Sequence, residues 1–277
     1  MGREENALIF EDTKKLCETN KKLIEAIKLS SSNQKLILEN ENIELIKPKF
    51  DIEAKLIVSK KRSFEAASAY ENQKVCVLNF ASSTNPGGGV VNGSSAQEEA
   101  LCRCSTLYFN LDTKYMWDNF YNLHRSQKNP LNNDDCIYTP NVKVFKADNA
   151  SPKLLPEKDW YDVNIITCAA PNLRPKPSNP MNPYSKMEKV IISNNDLLLL
   201  HEKRLRKILS IAAKYENEII ILGAFGCGAF LNSPHIVSKA AQNVIKDFRN
   251  YFKVIEFAVY CSQKDETNYR IFKQAIR

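Results

Sequence analysis

The sequence predicts an α/β fold in which helices cover both faces of a central, largely parallel β-sheet. Three observations lead to it. Amphipathic helical segments alternate with short apolar segments along much of the chain. The 277 residues, 43% hydrophobic and 26% charged, are typical of one large soluble domain. Apart from Gly2, the glycines follow two of the predicted strands, where ligand-binding loops lie in such sheets.

The first predicted elements are helical. Ile9, Leu16, Leu23 and Ile27 recur near helical spacing with lysine and glutamate between them, which predicts one amphipathic helix. The later segment "SFEAASAYEN" also has a helical pattern, and it leads directly into the apolar run "KVCVLNF". A helix followed by a buried strand is the expected start of an α/β layer.

The same order recurs in the second half of the chain. Apolar runs predict the strands "DVNIITCAA", "EIIILGAF" and "FKVIEFAVYC". Helices are predicted over "DLLLLHEKRLRKILSIAAKYE" and "SPHIVSKAAQNVIKDF". The stretch rich in proline and asparagine at residues 170–185 interrupts this order, and we interpret it as a surface loop within one globular unit.

Composition excludes several classes of protein. The net charge of +7 is spread along the chain, so no direct DNA binding is expected. The eight cysteines are scattered, several of them within apolar runs, which favours buried free thiols in an intracellular protein. We expect a cytoplasmic location, or a nuclear one if the organism is eukaryotic, because no apolar run resembles a signal peptide or a membrane span.

No metal or cofactor is expected. Cys102 and Cys104 form a CxC motif, but no second pair stands at zinc-ligand spacing and the chain has three histidines.

The glycines form two clusters. Residues 87, 88, 89 and 93 follow one predicted strand, and residues 223, 226 and 228 follow another. Glycine at such positions lets backbone N–H groups approach an anion closely, which favours a phosphate-bearing ligand between the two loops. The alternative is that these glycines only form turns. Neither loop has the dinucleotide fingerprint or the GK[ST] of a P-loop.

Two adjacent carboxylates, Glu98 and Glu99, follow the first glycine cluster. The serines before them favour a helix start, so both fall in a first helical turn. Neighbouring helical residues point about 100° apart and cannot easily flank a glycosidic bond, so in a glycosidase one of them would do most of the chemistry. The alternative is that they only complement the helix dipole.

The spacing of these motifs resembles a known family. GGG, seven residues and QEE, within "LNFASSTNPGGGVVNGSSAQEEALCRCSTLY", is similar to the signature of bacterial-type poly(ADP-ribose) glycohydrolases of the macrodomain superfamily. "LGAFGCGAF", "IYTPNVKVF" and "TCAAPNL" also resemble family segments, and the resemblance runs from about Val75 to Cys261. It implies a three-layer α/β/α macrodomain with a mixed, largely parallel sheet. We therefore expect an N-terminal helical extension at residues 1–70 and a macrodomain-like catalytic domain at 71–277.

The resemblance also implies a reaction. The enzyme would hydrolyse the ribose–ribose O-glycosidic bonds of poly(ADP-ribose) and release ADP-ribose. Glu99 would be the general acid and base, acting through an oxocarbenium-like transition state. Glu98 would hold the ribose hydroxyls, and Gln97 would help to position the ribose.

Further residues are assigned to substrate binding by the same resemblance. Gly87, Gly88 and Gly89 would surround the catalytic ribose. Backbone donors to the diphosphate would come from residues 226–230, with Phe230 also against the ribose or, alternatively, part of the core. Cys227 is interpreted as a packing residue, and no adenine-stacking residue can be identified. The full substrate-binding set is Gln97, Gly87, Gly88, Gly89, Val90, Asn85, Gly223, Phe225, Gly226, Cys227, Gly228, Ala229 and Phe230.

Three other functions stay open at this point. A macrodomain reader would bind ADP-ribose without cleaving it, although the presence of both glutamates favours an enzyme. A hydrolase of mono-ADP-ribosylated proteins could use the same pocket with a different leaving group. A generic phosphate-binding enzyme would require the GGG and QEE pairing to be a coincidence.

Overall fold

The computed structural model describes residues 2–45, 47–70, 72–178, 183, 186, 188–262 and 265–277. Within them, seven strands form one mixed sheet in the order β1-β4-β5-β3-β6-β7-β2. The strands are β1 (Lys35–Ile37), β2 (Lys55–Ser59), β3 (Val75–Phe80), β4 (Cys136–Val144), β5 (Tyr161–Cys168), β6 (Ile219–Leu222) and β7 (Val254–Ala258). The predicted α/β fold is confirmed.

Helices precede and follow these strands. They are α1 (Arg3–Thr19), α2 (Lys21–Asn33), α3 (Ser63–Ala67), α4 (Gln97–Cys104), α5 (Leu107–Leu111), α6 (Lys114–Met116), α7 (Asn122–Gln127), α8 (Asn194–Lys214), α9 (Pro234–Ile245) and α10 (Thr267–Ala275). A π-helical turn over Trp117–Tyr121 connects α6 to α7.

The sheet is largely parallel, as predicted. Strands β5, β3, β6, β7 and β2 run parallel to one another. β4 is antiparallel to both β5 and β1. Its pairing with β5 shifts register between Thr139 and Val142, around Pro140, which has no N–H to give to the ladder.

Alternate residues of the central strands face two different cores. Leu78 and Ile220 pack in one cluster with side chains of α8 and α9 such as Ile208. Val77 and Ile221 pack in the other, with side chains of α3 and α4. Because successive side chains of a strand point to opposite faces, strands buried on both sides need continuous apolar runs. This accounts for the apolar sequences of β3 and β6.

The N-terminal segment corrects one prediction. The expected single helix is two helices, α1 and α2, separated at Asn20. The Asn20 backbone is extended, and its side chain accepts from the N–H groups of Lys22 at 3.0 Å and Leu23 at 3.3 Å. Such a cap starts a new helix, and helical periodicity on both sides hid the break.

Residues 1–70 also contribute strands. β1 and β2 form the two edges of the sheet, so this segment is not helical throughout. A domain boundary at residue 70 stays a prediction.

Buried contacts of Lys146 connect α1 to the rest of the molecule. Its side chain is 2% exposed, and its Nζ donates to Ile9 O at 2.9 Å and to Thr13 Oγ1 at 2.7 Å. The carboxylate of Asp12 lies 2.7 Å from the same nitrogen. A buried ammonium needs such partners, so the position of α1 is coupled to the folded core.

The structure also bears on the predictions about the cysteines, the surface loop and membrane spans. All eight cysteines are free, and Cys227 and Cys261 alone are partly exposed. Within the predicted loop at 170–185, residues 179–182, 184 and 185 lie outside the described residues. Among the described helices, none has both the length and the apolar character needed to span a bilayer. The intracellular location stays a prediction.

Candidate active site

A cavity of about 900 Å³ opens at the carboxyl edge of the parallel strands. Its walls come from the segments that follow β2, β3, β5, β6 and β7, together with α4 and the start of α1. This is the edge where open α/β sheets bind ligands. The predicted site residues that line it are Asn85, Gly88, Gly89, Gln97, Glu98, Glu99, Gly226, Gly228, Ala229 and Phe230.

Glu98 lies in the first turn of α4 and is 3% exposed. Its Oε2 accepts from the N–H of Ser82 at 2.7 Å, and its Oε1 accepts from Asn79 Nδ2 at 3.3 Å. Burial, and then the charge of Glu99, raise the pKa of Glu98 well above its usual value, while these donors act in the opposite direction. Both of its oxygens are therefore occupied by the protein.

Glu99 is 8% exposed and has an asymmetric environment. Its Oε1 accepts from the N–H of Gly89 at 3.0 Å. Its Oε2 is buried and has no hydrogen-bond partner within the described chain. A buried polar atom without a partner is costly and often marks a functional site. Of the two carboxylates, Glu99 is the one with an oxygen that accepts no hydrogen bond within the described residues.

The first glycine cluster allows this arrangement. Gly88 has φ +58°, and a Cβ built there would lie 2.7 Å from Glu99 Oε1 and 3.1 Å from Glu98 Oε2. Gly87 has φ +64°, and a Cβ there would lie 2.8 Å from Tyr108 Cδ2. Only glycine combines this backbone conformation with such close approach. The cluster therefore holds the backbone against the two carboxylates.

Gln97 connects α4 to the end of β3. Its Nε2 donates to Leu78 O at 2.7 Å and to Ser63 Oγ at 3.0 Å. Its Oε1 accepts from the N–H of Phe80 at 2.9 Å. Both polar atoms of the Gln97 amide are thus hydrogen-bonded within the protein, although the residue lines the cavity. A direct contact of Gln97 with substrate stays a prediction.

The second glycine cluster presents backbone donors. The N–H groups of Gly226, Gly228, Ala229 and Phe230 donate to no backbone carbonyl of the described residues, and all four residues line the cavity. Successive unpaired N–H groups form a concave site suited to an anion. Arg174 adds a positive charge beside them, since its Nε donates to Ala229 O and its guanidinium lies 5.4 Å from the centre of the Phe230 ring.

Five predicted binding residues do not line the cavity, namely Gly87, Val90, Gly223, Phe225 and Cys227. Val90 is fully buried, and Phe225 packs with its ring centre 5.5 Å from that of Phe80. A Cβ on Gly223 would lie 2.7 Å from Ala258 O, so this glycine permits close backbone packing. Burial raises the pKa of Cys227 to about 12, which leaves it a neutral thiol. Substrate contact by these residues stays a prediction.

Sequence reasoning missed the far end of the cavity, which Asn6, Arg62, Asp148 and Tyr260 line. The Arg62 guanidinium lies 4.1 Å from the centre of the Tyr260 ring, and its Nη1 lies 3.9 Å from Asp148 Oδ1. Asp148 Oδ1 and Asn6 Oδ1 are buried and have no hydrogen-bond partner among the described residues. This end therefore combines an exposed aromatic ring with two buried acceptor oxygens that accept no hydrogen bond within the described residues.

The described residues contain no group of three or more His, Cys, Asp or Glu side chains that could hold a metal ion. The groups that line the cavity include carboxylates, guanidinium groups and aromatic rings.

Comparisons with known proteins agree with this geometry. The family model for the microbial-type PARG (poly(ADP-ribose) glycohydrolase) catalytic domain matches residues 5–147, more than half of the 277 residues. The fold is similar to that of the poly(ADP-ribose) glycohydrolase of Thermomonospora curvata, with a TM-score of 0.84 and 25% identity over 98% of this chain and 99% of that one. No curated protein matches the sequence.

The fold is also similar to that of two structures solved with a ligand. The Thermomonospora curvata enzyme bound to the inhibitor ADP-HPD aligns with a TM-score of 0.81 and 25% identity, over 98% of this chain and 99% of that one. The Deinococcus radiodurans poly(ADP-ribose) glycohydrolase in complex with ADP-ribose aligns with a TM-score of 0.76 and 28% identity, over 90% and 96% of the two chains.

Proposed function

Because this chain belongs to the microbial-type PARG catalytic-domain family, we propose that it hydrolyses the ribose–ribose O-glycosidic bonds of poly(ADP-ribose) and releases ADP-ribose. The observation that carries the proposal is Glu99. This buried carboxylate has one oxygen bonded to the glycine loop and one without a hydrogen-bond partner among the described residues, at the wall of a cavity that unpaired backbone N–H groups also border. An enzyme that cleaves a sugar bond next to a diphosphate needs both features.

The cavity can hold one ADP-ribose unit in an extended pose. Its diphosphate binds to the unpaired N–H groups of residues 226 and 228–230, and Arg174 supplies positive charge beside them. The catalytic ribose lies between Glu99 and Phe230, both of which line the cavity. The adenine reaches the opposite end. Charge-assisted hydrogen bonds from the N–H groups would supply much of the affinity for the diphosphate.

In the chemical step, protonated Glu99 gives its proton to the bridging oxygen of the leaving ribose. The bond between that oxygen and the anomeric carbon breaks, its electron pair goes to the oxygen, and an oxocarbenium-like ribose forms. A water then attacks the anomeric carbon, and the Glu99 carboxylate takes the water's proton. The products are a free ribose hydroxyl on the shortened polymer and ADP-ribose, and Glu99 is again protonated.

Glu98 supports this step from the neighbouring position. The N–H of Ser82 and the amide of Asn79 hold its carboxylate, which can still accept from ribose hydroxyls because each carboxylate oxygen has two acceptor sites. Glu99, by contrast, has one oxygen that accepts no hydrogen bond within the described residues. We therefore assign the acid to Glu99 and ribose binding to Glu98.

The adenine fits the far end. Tyr260 is 55% exposed and offers a ring for stacking. The exocyclic amine of adenine has two N–H donors, which suit Asn6 Oδ1 and Asp148 Oδ1, two buried oxygens that accept no hydrogen bond within the described residues. We therefore assign adenine recognition to Tyr260 with these two side chains.

The test is ADP-ribose release from purified poly(ADP-ribose) and, separately, from a mono-ADP-ribosylated protein. We expect the wild type to release ADP-ribose from the polymer. Glu99→Gln should lose about a thousandfold or more in rate while its affinity for ADP-ribose stays close to that of the wild type. Glu18→Gln, an exposed change on α1, is the matched control and should keep full activity.

Two results would contradict the proposal. Binding of ADP-ribose without cleavage of either substrate would identify a reader. Release from the mono-modified protein alone would identify a hydrolase of protein-linked ADP-ribose.

A further inference from the structure

Asn232 lies directly behind the second glycine loop and is 2% exposed. Its Nδ2 lies 2.6 Å from Pro171 O, 3.1 Å from Gly226 O and 3.3 Å from Phe230 O. Pro171 belongs to the segment after β5, whereas Gly226 and Phe230 follow β6. One side-chain amide therefore joins the two segments that border the predicted diphosphate site.

The loop is folded closely around this amide. Gly226 has φ +78°, and a Cβ there would lie 2.7 Å from Asn232 Nδ2. Gly226 O also accepts from the backbone N–H of Asn232 at 3.0 Å. The carbonyl groups of Gly226 and Phe230 thus face Asn232, while the N–H groups of residues 226 and 228–230 stay unpaired with backbone carbonyls.

His201 on α8 fixes the orientation of the amide. It is 3% exposed, and its Nε2 lies 2.9 Å from Asn232 Oδ1. The Asn232 nitrogen faces three carbonyl oxygens, so Oδ1 is the acceptor and His201 Nε2 carries the proton. Burial lowers the pKa of His201 to about 4, which keeps the ring neutral near neutral pH.

We propose that Asn232, oriented by His201, is a positioning residue that shapes the loop at 226–230 for a diphosphate before the ligand binds. By bonding the Gly226 and Phe230 carbonyls, it keeps their oxygens from turning toward the phosphate oxygens. The N–H groups then need no rearrangement when the anion arrives, and such preorganisation strengthens binding. This inference rests on the proposed function.

The first experiment compares the binding of ADP-ribose, ADP and adenosine to folded Asn232→Ala and to the wild type by calorimetry. Adenosine has no diphosphate and serves as the internal control. We expect the affinities for ADP and ADP-ribose to fall by about 10- to 100-fold, the effect of losing one or two positioned hydrogen bonds. The affinity for adenosine should change less than about twofold. Asn195→Ala, an exposed change on α8, should match the wild type for all three ligands.

A second series keeps Asn232 in place in case its removal prevents folding. His201→Phe removes the donor to Oδ1, and we expect an approximately 5- to 10-fold loss of ADP affinity. His201→Gln can still donate and should recover most of that loss. If His201 acts through Asn232, the double variant should bind ADP no more weakly than Asn232→Ala alone.

Several outcomes would overturn the inference. Unchanged ADP affinity in the folded variants, with only a lower Tm, would mean a purely structural role. Equal losses for ADP and adenosine, or additive losses in the double variant, would also contradict it. Failure of the proposed function is a separate result, because a wild type that binds ADP-ribose but leaves the polymer intact still allows the whole binding series.

Discussion

The backbone N–H of Gly89 donates to one oxygen of Glu99 at 3.0 Å, and within the described residues the other oxygen has no partner. This gives the two oxygens of one carboxyl different tasks. The free oxygen can carry and donate a proton, while the N–H of Gly89 stabilises the negative charge that remains after donation. In the proposed mechanism, Glu99 supplies the acid and the glycine loop stabilises the charge that the acid leaves behind.

Gly88→Ala tests this contact. The new Cβ would meet Glu99 Oε1 at 2.7 Å, and alanine disfavours φ +58°. We expect turnover to fall by about 100-fold, the usual effect of displacing a catalytic group by about 1 Å. The free energy of unfolding should fall by about 1–2 kcal/mol. Steady-state kinetics and urea unfolding measure both changes. Val91→Ala, at a 49% exposed residue of the same segment, is the control, and equal losses in both variants would contradict the prediction.

Glu98→Gln tests the raised pKa of Glu98. Because the folded protein holds this proton more tightly than the unfolded chain, the associated stability is present below about pH 4.3 and is lost as the pH rises through the folded pKa. Glutamine cannot ionise, so the stability of the wild type relative to the variant should decrease as the pH rises. Asn79 Oδ1 is free to accept from the new amide. Urea unfolding across pH measures this, and parallel profiles for the two proteins would contradict it.

His201 should produce the opposite dependence. Its pKa is lowered from 6.5 to about 4 in the fold, mainly by burial. The unfolded chain therefore takes up the proton first, and stability is lost as the pH falls from 6.5 through 4. The shift corresponds to about 3 kcal/mol. Unfolding of the wild type and of His201→Gln at several pH values measures it. An equally steep loss in the variant would assign the effect to other groups.

Tyr260→Ala tests the adenine end. Loss of a stacking ring should weaken ADP-ribose binding by about tenfold or more, while Tyr260→Phe keeps the ring and should bind nearly as well as the wild type. Tyr115→Ala removes a 59% exposed ring outside the cavity and is the matched control. Calorimetric titration with ADP-ribose distinguishes them. If Tyr260→Ala binds as tightly as Tyr115→Ala, the adenine does not stack on Tyr260.

Thr13→Val tests the attachment of α1. The Thr13 hydroxyl donates to Arg103 O at 2.6 Å and accepts from Lys146 Nζ at 2.7 Å. Valine has nearly the same shape and neither bond, so we expect a loss of about 1–3 kcal/mol in the free energy of unfolding. Thr19→Val changes an exposed threonine at the end of the same helix and should lose less than about 0.5 kcal/mol. Similar losses in both would show that the buried contacts contribute little.

Much of the sheet could be predicted from local sequence. The strands β3, β5, β6 and β7 are apolar runs bounded by polar or turn residues, and each was predicted. The antiparallel β4 contains Pro140 and Asn141 within its span, which obscures a strand pattern. β1 has three residues, and its pairing with β4 decides its conformation. Tertiary pairing of this kind leaves little trace in the local sequence.

The candidate site likewise has some residues that local sequence predicts and others that it does not. The carboxylates and both glycine loops are short continuous motifs, so the sequence identified them. The far end combines Asn6, Arg62, Asp148 and Tyr260, which come from four distant parts of the chain. The order of the strands brings them together, and no spacing rule within the sequence records that order. Asn79 offered a weaker signal, a lone amide inside an apolar strand.

The walls of the cavity run from Arg3 to Asn268 along the chain. During synthesis the residues of α1 are made long before Tyr260 and the loop at 226–230. A nascent chain that stops before Tyr260 has Glu98 and Glu99 but lacks part of the cavity wall. The complete cavity can therefore form only after the residues up to Asn268 have been translated.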